Sequence, residues 1–176
     1  MDSLYEQLAP LIGHVVIEHG NLEGDAGKML ARLNGKGDDL SAAQYAAKCP
    51  YSDKIKKATK LVAEKITDSD LRTEFENVLA EMDRLRKERN NYIHSEYMPE
   101  LDQHDNILGA YYRQIEQMGD VVDITDPNSK IAVHRFEMAE IEQIIEDMIV
   151  LGLRIRAVSE KYFDTLPYEP PKPPDP

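Results

Sequence analysis

The sequence predicts an all-α protein: an up-and-down helix bundle of four to five helices, with a small β-hairpin or loop insertion before the last helix. Three observations lead there. Four long segments repeat their apolar residues at intervals of three and four, the period of a buried helix face. The hydrophobic residues, 41% of 176, include no Trp and only three Phe, so Leu, Ile, Val, Ala and Met dominate, a palette weighted toward helices. Only one stretch, between the third and fourth segments, breaks this texture with β-branched and aromatic residues around turn formers.

The first segment covers residues 3–33, with Leu4, Leu8, Leu11, Val15, Leu22, Met29 and Leu33 on one stripe. Pro10 lacks an N–H and crowds the preceding turn, so the helix is expected to begin properly near residue 8. Gly13, Gly20, Gly24 and Gly27 are seven, four and three residues apart, and on one continuous helix they share a face roughly opposite the leucine stripe. Each interior glycine costs about 1 kcal/mol against alanine. A bare glycine face therefore suggests close approach by another helix, such as one from a second subunit; a break in the helix at HGNLEGDAG is the alternative. Asn34–Gly35–Lys36–Gly37–Asp38 reads as the turn that follows.

The second segment, 52–66, places Ile55, Leu61, Val62 and Ile66 inward, with Ser52 able to cap its start. The third, 69–94, is the clearest, with Leu71, Phe75, Val78, Leu79, Met82 and Leu85 in register. The fourth, 135–163, carries Phe136, Ile141, Ile144, Ile145, Met148, Leu151, Ile155, Val158 and Tyr162. Between them, residues 107–135 hold ILGAYYRQI, VVDI and IAVHR, punctuated by Gly119–Asp120 and Asp126–Pro127–Asn128, which predicts a small hairpin. The length suits one domain, residues 1–166. The six prolines of residues 167–176 predict an extended, disordered tail.

Charge narrows the function classes. A net charge of −12 argues against non-specific duplex binding, which needs lysine and arginine on phosphates. The charge is uneven, however. Lys48 to Lys65 holds six lysines against Asp53 and Glu64, and Arg84 to Arg89 holds four basic residues against Glu88. Such runs predict a local patch suited to a short anionic stretch. The single cysteine, Cys49, excludes an intramolecular disulfide and suits a reducing cytoplasm. The opening MDSLYEQ has no secretory pattern, and no apolar run is long enough to span a bilayer, so no membrane partner is expected.

Chemistry concentrates in RLRKERNNYIHSEY, residues 84–97. Arg89 lies four residues beyond Leu85 and seven beyond Met82, on the apolar stripe itself. A dehydrated, unpaired cation costs several kcal/mol, so a carboxylate or a phosphate should face it. Asn90 and His94, one turn apart, stack on an adjacent face, and the three residues can line one edge of a groove. Other chemistries fare poorly. His14 and His19 are five residues apart, poorly placed for one metal. No Gly-x-Ser-x-Gly, phosphate-cradling loop or calcium loop is present. No metal and no cofactor is expected.

The string ERNNYIHSEY resembles the signature of HEPN domains (higher eukaryote and prokaryote nucleotide-binding), helical bundles whose ribonuclease members carry Arg, four to six residues, then His, often with a polar residue after the Arg. The resemblance covers six residues as motif, Arg89 to His94, and most of the chain as architecture. It implies a metal-independent endoribonuclease cleaving single-stranded RNA as a homodimer, as in toxins or phage-defence effectors restrained by an antitoxin or regulatory protein. In that scheme Arg89, His94 and Asn90 are catalytic, and Arg86, Lys87 and Tyr97 bind substrate. Many HEPN domains are instead non-catalytic modules that dimerise or bind a protein or nucleotide partner.

Overall fold

A computed structural model describes residues 4–35, 44, 48–101, 103–104, 107–114 and 133–164. Four helices account for most of it: α1 (Leu4–Leu33), α2 (Tyr51–Lys65), α3 (Ser69–Ile93) and α4 (Met138–Asp164). They pack as an all-α bundle, as the periodicity predicts. A three-stranded antiparallel sheet, β1 (Ser95–Leu101), β2 (Ile107–Gln114) and β3 (Val133–Phe136), is inserted before the last helix in the order β1-β2-β3. The turn signals at Gly119–Asp120 and Asp126–Asn128, and the proline-rich tail, lie outside the described residues.

The chain divides into two compact units. Residues Met1–Glu23 with Glu81–Leu151 form one, and Gly24–Ala80 with Gly152–Pro176 the other. α1, α3 and α4 each contribute to both. All nine predicted inward residues of the fourth segment are buried, as are Phe75, Val78, Leu79, Met82 and Leu85 of α3. Among the described residues no helix is long and apolar enough to cross a membrane.

Four sequence expectations change in the structure. α1 starts at Leu4 and runs through Pro10 rather than beginning near residue 8. Leu4 and Leu8 are buried, and two leucines at about 1.5–3 kcal/mol each offset the roughly 3 kcal/mol that an interior proline costs. The helix is also unbroken across HGNLEGDAG. Among the described residues, a Cβ at Gly13, Gly20 or Gly24 would meet nothing within 4 Å, whereas Gly27 is buried. α2 begins one residue before Ser52, with Pro50 in the cap position and no side-chain cap. The backbone N–H groups of Asp53 and Lys54 donate to the Pro50 carbonyl instead.

The fourth change bears on the site. The hairpin begins at Ser95, directly after the third helix, and not at residue 107. β1 pairs with β2 from Ser95↔Gln114 to Leu101↔Ile107. SEYMPEL escapes sequence reading because no Gly or Asn separates it from the helix and Pro99 lies within it. An edge strand tolerates that proline, since one row of its N–H groups has no ladder partner. β2 lies central and pairs with β3 from Ala110↔Phe136 to Arg113↔Val133.

The unit that does not carry the hairpin is tied by ion pairs and rings. Arg156 donates to the buried Asp25 at 3.0 Å, Lys161 reaches both Glu74 oxygens at 2.7 Å, and Phe75 meets Tyr162 edge to face. α1 ends where Gly35 takes φ +75°, a left-handed position that glycine occupies without strain. Lys65 donates to the Leu33 carbonyl at 2.6 Å, a cation at a helix C-terminus. Asp68 starts α3 by accepting from the N–H groups of Asp70 and Leu71.

Candidate functional site

The C-terminal half of α3 carries all the predicted site residues except His94 and Tyr97, which follow it. The structure brings Arg89, Asn90 and His94 together. Arg89 Nη1 donates to Asn90 Oδ1 at 3.0 Å and lies 3.4 Å from His94 Nε2. Periodicity separates their faces on an ideal helix, yet the long guanidinium reaches sideways to both. Because an arginine N–H only donates, the contact is a hydrogen bond when His94 Nε2 is unprotonated and the ring proton sits on Nδ1. His94 is exposed, whereas Arg89 is half-buried. No carboxylate pairs with Arg89 among the described residues, and its buried Nε has no hydrogen-bond partner there.

The other basic residues of the run are neutralised. Arg84 meets Glu81 at 2.5 Å, Glu88 at 2.7 Å and Asp147 at 2.6 Å. The Glu81 hydrogen bond, more than those of Asp147 and Glu88, holds the Arg84 guanidinium protonated even more firmly than usual. Arg86 donates twice to Asp83 Oδ1, at 3.0 and 2.9 Å, and Lys87 lies 2.7 Å from Asp83 Oδ2. Those contacts, Lys87 first and Arg86 second, push the Asp83 carboxyl below its ordinary value. A count confined to residues 84–89 misses Glu81 and Asp83, which lie three and four residues upstream of their partners. That spacing is legible in the sequence. Asp147, on α4, is not.

Two hydroxyls close the end of α3. The His94 N–H donates to the Asn90 carbonyl at 3.1 Å. Ser95 Oγ then donates to the Asn91 carbonyl, and the Tyr97 hydroxyl to the Tyr92 carbonyl. These are carbonyls of the last turn, which intrahelical N–H groups do not reach. The Tyr97 ring packs edge-on against Phe136 at 5.7 Å, and Tyr92 packs on the same ring at 5.9 Å. Tyr97 thus lies in an aromatic cluster with the buried Tyr92 and Phe136. Sequence reasoning reached neither Ser95 nor Phe136 as parts of the site's frame. The serine directly after a histidine at a helix end was the available signal.

A cleft of about 480 Å³ lies on the other flank of α3, lined by Arg84, Glu88, Asn91 and Tyr92 with Glu140 and Asp147 of α4. Its carboxylates outnumber its one cation, so it disfavours phosphate. Among the described residues no three His, Cys, Asp or Glu side chains cluster as metal ligands. No family model matches the chain, and neither the curated proteins nor the solved structures hold a match.

Proposed function

We propose that this chain is a HEPN-like, metal-independent endoribonuclease that cuts single-stranded RNA as a cytoplasmic homodimer, in a toxin or phage-defence setting under an antitoxin or regulatory protein. One observation carries the reading: Arg89 is half-buried without a carboxylate among the described residues, and it points at Asn90 and at the Nε2 of an exposed histidine. An arginine with a structural role is paired with acids, as Arg84 is on the same helix. One that contacts only neutral partners is suited to a ligand's charge.

In this mechanism the RNA phosphate draws Arg89 toward itself, and the ribose 2′-hydroxyl takes its place at His94 Nε2. His94 removes the hydroxyl proton, a step worth about 10²–10⁴ in rate. The oxygen attacks the adjacent phosphorus, the bond from phosphorus to the 5′-oxygen breaks, and the leaving 5′-oxygen takes a proton from water. Arg89 neutralises charge building on the phosphorane, and Asn90 holds the guanidinium in place. The products are a 2′,3′-cyclic phosphate and a 5′-hydroxyl. The small size of the unpaired positive charge suits single strands rather than duplex.

The dimer belongs to the same reading, and the side of α1 at Gly13 and Gly20, exposed like Val16 and Ile17 beside it, is the surface that suits it. Gly20→Lys tests this by light scattering. A lysine there meets open space, so a monomer that keeps its fold is the expected result, and an unchanged mass would remove the face from the interface.

A second reading, a non-catalytic module binding a protein or nucleotide partner, draws on the acid-saturated run at Arg84, Arg86 and Lys87. The deciding assay incubates single-stranded RNA with the protein in EDTA, alongside His94→Ala. Cyclic-phosphate products from the wild type alone support the nuclease. Equal cleavage by both, or none by either across varied RNAs, supports the module.

A further inference from the structure

We propose that Tyr97 is a positioning residue for His94, acting through the backbone as a latch between the hairpin and the end of α3. The inference rests on reading His94 as the base of the site. It also moves Tyr97 from a stacking surface for RNA to part of the frame.

His94 is exposed, so no packed shell fixes its ring. What remains is its backbone and one long contact to Arg89, 3.4 Å from Nε2. A hydrogen bond at that length is near its limit, and a shift of a few tenths of an ångström breaks it. The direction of the backbone at residue 94 therefore decides whether the two groups meet.

Beside the ladder that pairs β1 with β2 from Ser95 onward, three hydrogen bonds set that direction. Upstream, the His94 N–H continues the helical pattern onto Asn90. Downstream, the hydroxyls of Ser95 and Tyr97 fold back onto the carbonyls of Asn91 and Tyr92. The chain thus passes from helix to strand without the left-handed glycine that commonly ends a helix. Tyr97 is the stronger hold, because its ring is also seated on Phe136, and Phe136 is buried and paired through β3 to the sheet. Ser95 pairs in the ladder as well, but its side chain brings a hydroxyl and no ring. Tyr97 therefore joins three things: the last turn of the helix, the first strand, and the buried ring just before α4. Losing its hydroxyl removes the side-chain tie between β1 and the last turn of α3, and leaves the start of the strand to Ser95 and the β2 ladder. The His94 ring then turns among rotamers away from Arg89.

The test is Tyr97→Phe, which keeps the ring and removes the hydroxyl, with Ser95→Ala as a second variant; circular dichroism checks that both fold. Long-range ¹H–¹⁵N correlation of the imidazole ring, recorded where His94 is neutral, reads its tautomer. The wild type is expected to show Nε2 as the unprotonated nitrogen. In Tyr97→Phe the two nitrogen shifts should move toward each other as both tautomers populate, with a smaller change in Ser95→Ala. On single-stranded RNA, Tyr97→Phe should lower kcat by about 10- to 100-fold, the scale of a misplaced group, with KM within about twofold of wild type. His94 shifts unchanged in both variants would overturn the assignment, even if the wild type cuts RNA. Shifts that move in a protein that cuts no RNA would uphold the latch and remove the nuclease reading instead.

Discussion

Arg84 and Arg89 sit five residues apart on one helix, and the structure treats them in opposite ways. Arg84 gathers Glu81, Glu88 and Asp147, while the side-chain hydrogen-bond partners of Arg89 among the described residues are Asn90 and His94. Both belong to a run that reads as basic. The difference teaches that a local excess of positive charge is not a binding patch until its pairings are known. Of the four cations between Arg84 and Arg89, three are held by acids, and only Arg89 has none among the described residues. Within this run the unpaired positive charge is thus a point rather than a stripe. It lies where helix meets strand, beside an exposed histidine.

The sharpest way to break the comparison is Arg89→Met. Cleavage should fall by about 3–4 kcal/mol in transition-state stabilisation, near the loss of one charge-stabilising donor. Thermal stability should stay within about 2 °C of wild type, because no acid is left unpaired. A fall of more than about 5 °C would place Arg89 with the structural cations. Arg84→Met should do the reverse. It leaves three carboxylates facing one another, and calorimetry should show a loss of about 1–2 kcal/mol, modest because Arg84 is partly in solvent. Its cleavage rate should remain close to wild type, and a rate as low as that of Arg89→Met would mean that both arginines serve the site.

Asp83→Asn sharpens the same point from the acid side. It frees Arg86 and Lys87, so RNA should bind about two- to fivefold more tightly. The salt dependence should steepen by about one released counterion. Unchanged affinity in a titration over salt would show that neither cation faces the substrate. The smallest effect is in pH. The Asp83 carboxyl is lowered in the fold, by Lys87 and then Arg86, so its contribution to stability is present above the ordinary carboxylate range near pH 4 and is lost as pH falls through the lower folded value. At a site partly in solvent this amounts to a few tenths of a kcal/mol at most. The melting-temperature difference between wild type and Asp83→Asn should therefore shrink below about pH 4, and a gap that widens on acidification would contradict the pairing.

Much of the fold is legible in the sequence, because a helix is a local object. Its hydrophobic face recurs every three or four residues, and the stripe on α4, with that on α3 from Phe75 to Leu85, is found buried where the spacing places it, Leu71 at the start of α3 being half-buried. The proximity of Arg89, Asn90 and His94 is legible for the same reason, since residues one to five apart at a helix end cannot be far from one another. Pairings within reach along the helix, such as Asp83 with Lys87, were also available in principle.

Only the tertiary structure decided the rest. The burial of Leu4 and Leu8 carries α1 through Pro10, against the local preference of proline. The strand at Ser95 forms because β2 supplies its partners, and no residue of SEYMPEL announces that. Asp147 and Phe136 come to α3 from more than forty residues away, one to neutralise Arg84 and the other to seat Tyr97. Periodicity fixes which face a side chain occupies, but the groups that meet it there depend on how distant segments fold back. The sequence by itself therefore determined the helices and the three residues of the candidate site. The fold decided that Arg89 has no acid among the described residues, while the cations around it are held.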